Sequence, residues 1–264
     1  MLNCENIKKT FDKGTATEKT ALCNISLRLD ESDFITVIGG NGAGKSTLLN
    51  AVAGAFPVEQ GVIAIDGRDV TKLAEHARAR FIGRVFQDPR MGTAPGMTIE
   101  ENLAIAYRRC KRRTLRWGTS RKEREIYCEA LSALGLGLEQ RLTAKVGTLS
   151  GGQRQAITLL MATLQKPRLL LLDEHTAALD PKTAKIVLGL TNKLVSDNRL
   201  TTLMVTHNMR DALASGNRIM MMHNGSIILD VQSKEKAGLT VPDLLKMFEQ
   251  ASGEEIANDR MLLA

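Results

Sequence analysis

Aromatic side chains are scarce in this chain: one Trp, two Tyr and six Phe among 264 residues. Only Tyr107 and Trp117 accompany its most basic stretch. That is too few for a platform on which single-stranded nucleic acid could stack, and no nucleic-acid partner is expected. Cysteines are few as well. Cys4, Cys23, Cys110 and Cys128 show no C-x-x-C spacing, which argues against a zinc site or a disulfide framework and for reduced thiols. No apolar run comes near the length of about 18 residues needed to cross a bilayer. The opening Met1-Leu-Asn-Cys-Glu-Asn6 lacks the basic-then-apolar layout of a secretion signal, so a cytoplasmic location is expected. Repeats, low-complexity segments and linkers are missing too, and one compact unit with lobes is expected.

The rest of the composition is ordinary for a globular protein large enough to bury a real core, with 25% charged and 43% apolar residues. The net charge of +7 is concentrated in Arg108–Arg116 and Arg121–Arg124. Such a run reads as a solvated face, with anionic lipid head groups as the functional alternative.

Gly39-Gly-Asn-Gly-Ala-Gly-Lys-Ser46 follows the apolar run Phe34–Ile38 and precedes the helix-like run Lys45–Ala53. Strand, glycine-rich loop and helix in that order form a phosphate-binding loop. Glycines let successive backbone N–H groups converge on phosphate oxygens, and the helix adds the positive end of its dipole. Lys45 is expected to reach the β- and γ-phosphates and the Ser46 hydroxyl to ligate Mg²⁺. Asn41, Gly42, Gly44 and Thr47 complete the expected nucleotide contacts.

A second apolar strand, Arg168–Leu172, ends in Asp173 and Glu174. A strand buried on both faces tolerates carboxylates only at its tip, where metal, water or a partner can meet them. Asp173 is placed to hold Mg²⁺ through water and Glu174 to polarise an attacking water; two acids capping the next helix are the alternative. Ser150 is a natural N-cap for the helical run Gln153–Gln165. Gly151 and Gly152 behind it leave N–H groups open to an anion. One chain with two anion-binding helix ends makes sense if the second serves the nucleotide of another subunit.

From about residue 1 to 248 these residues resemble the ATP-binding subunits of ABC transporters, on five ordered motifs. The resemblance implies further roles. Gln87, in Val85-Phe-Gln-Asp-Pro89, touches Mg²⁺ and links the site to the membrane subunit. Leu149–Gln153, with Ser150, Gly151, Gly152 and Gln153, is the signature that meets the γ-phosphate across a dimer. Asp180 belongs to the loop after the catalytic glutamate, and His207 contacts the γ-phosphate. Phe11 takes the place of the aromatic residue that stacks on adenine. His175 departs from the proline of most relatives. Together with Gly92-Thr-Ala-Pro95 it is similar to a bacterial importer branch found with binding proteins for tryptophan or tyrosine.

The implied protein is an ATPase with ATP and Mg²⁺ as cofactors. It works as a pair, most simply a homodimer, at the cytoplasmic face of the cell membrane. Permease subunits lie above it, with an extracytoplasmic substrate-binding protein beyond them. A soluble ATPase of the same fold, serving iron–sulfur cluster assembly or cell division, is the rival.

The expected fold is α/β: a P-loop NTPase with a RecA-like parallel sheet, an N-terminal antiparallel β subdomain and an inserted α-helical subdomain. Phe34–Ile38, Arg168–Leu172 and Thr201–Val205 supply buried parallel strands, and residues 1–33 and 58–70 the antiparallel ones. Helical spacing marks 45–53, 122–135, 153–165 and 182–196. Asn224-Gly225 joins two strands in a hairpin. The ATPase domain is expected over 1–248, with the insert at about 89–165 and a C-terminal tail over 249–264.

Overall fold

The computed structural model of the chain describes residues 1–109, 111 and 119–253. Trp117, Cys110 and the centre of the basic run lie outside them. The chain opens with β1 (Leu2–Phe11) and β2 (Lys19–Leu29), an antiparallel pair whose register runs from Leu2 opposite Leu29 to Phe11 opposite Lys19. Next come β3 (Phe34–Gly39) and α1 (Lys45–Ala53), then β4 (Gln60–Ile65) and the two-residue β5 (Arg68–Asp69). The first sheet has the order β2-β1-β4-β5.

The chain continues through α2 (Glu75–Arg78), β6 (Ile82–Val85), α3 (Ile99–Tyr107), α4 (Arg121–Ser132) and α5 (Gly151–Thr163). Then follow β7 (Leu169–Asp173), α6 (Pro181–Asn198), β8 (Thr201–Val205) and α7 (Met209–Ala214). The last described elements are β9 (Arg218–His223), β10 (Ser226–Val231), α8 (Ser233–Lys236) and α9 (Val241–Ser252). The second sheet has the order β10-β9-β3-β8-β7-β6, parallel except where β10 pairs back onto β9. It is the expected parallel core.

Strand β7 shows why an unbroken leucine run forms a central strand. Leu169 and Leu171 face a core shared with α1 and the first sheet, while Leu170 and Leu172 face one shared with α5 and α6. Side chains alternate with period two, so a strand covered on both faces reads as a near-continuous apolar run. Truncating any of these leucines would cost about 2–5 kcal/mol. The insert has its own core, in which Ile99, Leu103, Tyr127, Leu131, Ala156 and Ile157 pack together. Its helices start on Thr98, Ser120 and Ser150, each in a capping box.

Three expectations need adjustment. Arg168 lies just outside β7, exposed and paired with Asp66 at 3.4 Å. Helix α5 begins at Gly151, so both glycines of the signature stretch lie in its first turn. Helix α9 runs through residue 248, where the domain was expected to end; Leu244 and Phe248 bury one face of it against the β9–β10 side. The described part of the basic run stays a solvated face, as expected, with Arg121 94% exposed and its ion pairs at the surface of the insert. Arg108 pairs with Glu123 at 3.1 Å, Arg124 with Glu100 at 2.8 Å and Arg121 with Glu125 at 3.4 Å.

Candidate functional site

Strand β3 carries the chain to Gly39, and the loop then turns tightly into α1. A Cβ at Gly39 would lie 2.2 Å from the Met222 carbonyl oxygen, and one at Gly44 2.4 Å from that of Ala21. Both glycines also have positive φ, 155° and 99°, so any side chain there would meet backbone and strain at once. Gly44 leaves α1 without a side-chain cap, so no side chain at the cap competes with an anion for the N–H groups of its first turn.

Lys45 is buried at the root of the loop and donates to the carbonyls of Gly39 (2.8 Å) and Gly40 (3.0 Å). Burial lowers its pKa, against the pull of Glu174 and Asp173. A cavity of about 280 Å³ opens over the loop, lined by Phe11, Lys19, Ala21, residues 41–47 and Glu174. Phe11 is 36% exposed, too open for a core residue, and sets its ring edge-on to Phe56 at 5.3 Å.

At the tip of β7, Ser46 Oγ donates to Asp173 Oδ1 at 3.1 Å, and Arg84 Nη2 stands 4.0 Å from Asp173 Oδ2. Burial raises the Asp173 pKa, opposed by the Ser46 hydrogen bond and then by Arg84. Glu174 sits at φ 43°, a left-handed conformation that costs a non-glycine residue about 1–2 kcal/mol. Its N–H is held by the Val205 carbonyl at 3.0 Å. Its carboxylate faces His207, with Nδ1 to Oε2 at 3.5 Å, the long limit of a hydrogen bond. This contact with His207 lowers the Glu174 pKa against burial, and the contact with Glu174 raises that of His207 against burial. Neither acid caps α6; Asp180 does, accepting from Thr183 N–H at 3.1 Å.

Among the described residues no group of three or more His, Cys, Asp and Glu side chains could hold a metal alone. The Ser46 hydroxyl and Asp173 carboxylate nevertheless make a pair of hard oxygens. That suits magnesium, which takes one or two protein oxygens and fills its shell with water and phosphate. Gln87 lines a second, open cavity of about 780 Å³ together with Arg84, Phe86, Met91 and Asp173.

Ser150 and Gln153 close the start of α5 reciprocally, each backbone N–H donating to the other's side-chain oxygen at 3.3 Å. Gly152 lets this turn lie against α6: a Cβ there would stand 2.0 Å from Thr183 Cγ2. Residues 149–153 are not among those lining the loop cavity. His175 is buried and meets Thr191 Oγ1 through Nε2 at 2.9 Å. Because the Thr191 hydroxyl already donates to the Val187 carbonyl (2.9 Å), it accepts from His175, which fixes the proton on Nε2. Burial pushes the His175 pKa down to about 4.

Two residues of the site escaped the sequence reading. Arg84 lies on β6, whose four residues include a glycine and a charge and give no strand pattern. Lys19 belongs to no motif; its only signal was the β1–β2 register that sets it opposite Phe11.

The family model described as ABC transporter matches residues 22–177. The chain is 44% identical to a tyrosine transport ATP-binding protein of Clostridioides difficile (strain R20291), over 95% of this chain and 100% of that one. It is 34% identical to a spermidine/putrescine import ATP-binding protein of Protochlamydia amoebophila (strain UWE25), over 84% of this chain but 55% of that longer one. Among solved structures, a dimeric ATP-binding cassette in a post-hydrolysis state, bound to ADP and phosphate, superposes with a TM-score of 0.75. That pair is 28% identical, and the match covers 88% of this chain and 99% of the other.

Proposed function

This chain belongs to the ABC transporter family as an ATP-hydrolysing, ATP-binding subunit, and we propose that it energises import of an aromatic amino acid, tyrosine before others. The observation that carries the mechanism is the separation of two helix N-termini, one over the loop cavity and one at Ser150. A second copy supplying Ser150–Gln153 and Asp180 would close the loop cavity of the first. The dimeric state of the similar cassette supports that arrangement.

In this reading adenine stacks on the open face of Phe11. Gly39, Asn41, Gly42, Gly44 and Thr47 cradle the phosphates through backbone and hydroxyl donors, and Lys45 turns from its own loop carbonyls to the β- and γ-phosphates. Ser46, Asp173 and Gln87 are the residues that would hold Mg²⁺. When bound, the ion offsets phosphate charge. Glu174, kept ionised by His207, orients the attacking water and accepts its proton. His207 then faces both the base and the γ-phosphate. Closure of the pair excludes water and fixes an in-line geometry; product formation removes the bridge and reopens it. The open cavity around Gln87 and Met91 would seat a permease segment, passing the cycle to the membrane.

Among the described residues no helix is long and apolar enough to cross a bilayer, so membrane attachment falls to the permease subunits. The C. difficile relative supports the tyrosine assignment, at an identity well above those of the polyamine and energy-coupling-factor relatives. Purification from detergent-solubilised membranes tests it. Recovery of a permease, with tyrosine uptake lost when the chain is deleted, is expected. Recovery with soluble assembly factors and no permease would refute it.

A further inference from the structure

We propose that Lys19 is a nucleotide ligand that contacts the phosphate adjoining the ribose; the proposal rests on the reading of the loop cavity as the ATP site. Strand β1 ends at Phe11 and β2 begins at Lys19, and the two stand directly opposite each other. Opposed residues of an antiparallel pair share a face of the sheet, and both side chains line the loop cavity. The Lys19 ammonium reaches over the loop itself, since a Cβ built on Gly42 would be 3.2 Å from its Nζ.

Beyond its backbone pairing with β1, the Lys19 ammonium makes no hydrogen bond or ion pair among the described residues. The adjacent acid, Glu18, is engaged elsewhere, accepting from the Gly14 N–H at 2.8 Å. Lys45 differs on every count, being buried and held by two carbonyls. An ammonium without an acid partner above a phosphate-binding loop has an anion as its complement. Order along the cavity selects the phosphate. Phe11 belongs to the base and Lys45, at the root of the loop, to the β–γ end. Lys19 lies on the strand beside Phe11 and reaches Gly42, between the two. A lysine suits this position because a single flexible point charge can follow the phosphate as the base settles.

The test is calorimetric titration of the full chain with ATP and with ADP, at low and at high salt. Lys19→Ala is expected to weaken both nucleotides by the same factor, about five- to tenfold at low salt. The gap should narrow at high salt as screening grows, and Lys19→Arg should keep most of the affinity. Affinities within about twofold of the parent for both nucleotides overturn the proposal. So does a loss confined to ATP, which would put the ammonium at the γ-phosphate. Lys45→Ala separates the two levels of the argument. If it binds like the parent, the reading of the loop itself falls; if it loses affinity while Lys19→Ala does not, only Lys19 is removed.

Discussion

His207 Nδ1 stands 3.5 Å from Glu174 Oε2, and the two groups shift each other's titration in opposite directions. Each is partly buried, so the pairing acts against a desolvation penalty on both sides. His207, raised above 6.5, contributes stability that is complete below that value and is lost as pH rises through its folded pKa. Glu174, lowered below 4.5, contributes stability present above that value and lost as pH falls through its folded pKa. Their mutual stabilisation is therefore greatest between pH 4.5 and 6.5. Replacing Glu174 with Gln removes the charge that raises the His207 pKa and leaves burial and Lys45, which lower it, opposed by Asp211 alone, so the pKa should fall from that of the parent. An NMR titration of the imidazole protons in the nucleotide-free, EDTA-treated chain measures this. The same midpoint in parent and variant would show that the contact does not couple them.

The same substitution has a kinetic consequence. An amide keeps the size of Glu174 and cannot accept a proton from water. Turnover should fall by about 100-fold or more while ATP binding persists. Unhydrolysed ATP should then hold two chains together, visible by analytical ultracentrifugation as an ATP-dependent dimer. Hydrolysis near the parent rate would take the base role from Glu174.

The central strands were legible because β3, β7 and β8 are covered on both faces and are apolar except for Asp173 at the tip of β7 and for Thr36, Thr201 and Thr202, whose hydroxyls donate to backbone carbonyls. The Asn224–Gly225 turn was legible because both residues must adopt positive φ, and do, at 46° and 76°. Strand β6 was not. It is short, and its Gly83 is required by a relation invisible in one dimension: a Cβ there would lie 2.5 Å from the Ala162 carbonyl oxygen of α5. The loop and the acids could be expected because their residue types and order state a chemistry, and His207 because the family resemblance implies it. Lys19 and Arg84 enter the site only through strand register and strand pairing. Nor could the sequence show that Lys45 donates to its own loop carbonyls, or that His207 meets Glu174.

Contact between α5 and α6 yields a packing prediction. Gly152→Ala would place Cβ 2.0 Å from Thr183 Cγ2. A β-branched residue in the first turn of a helix has little rotamer freedom to yield. The expected cost is about 1–3 kcal/mol by urea unfolding, as for other overpacked contacts. Thr183→Ala in the Gly152→Ala background should recover most of it, because the Thr183 Cβ itself lies 3.4 Å away. The Thr183 N–H that Asp180 accepts would survive the second change. Equal stability of parent and Gly152→Ala would mean that α5 and α6 do not approach this closely.

Buried His175 should make the fold acid-sensitive. Its pKa is pushed down to about 4 by burial, against 6.5 for an ordinary histidine. Between those values the unfolded chain binds a proton that the folded chain refuses, so stability falls as pH drops from 6.5 towards 4. The full loss amounts to about 3 kcal/mol, roughly 2 of it by pH 5. Gln at this position has an amide that can still donate to Thr191 Oγ1 and takes up no proton. His175→Gln should therefore be less stable than the parent or equal to it at pH 7, and gain on it steadily with acidification. Urea unfolding of both chains in EDTA, from pH 7 to pH 5, gives the difference directly and cancels the other titrating groups. Parallel stability curves would mean that His175 protonates in place, and that its cavity admits water or a counter-charge. A converging pair would show the imidazole between Glu174 and α6 acting as a neutral donor, which ties the base-bearing turn to Thr191.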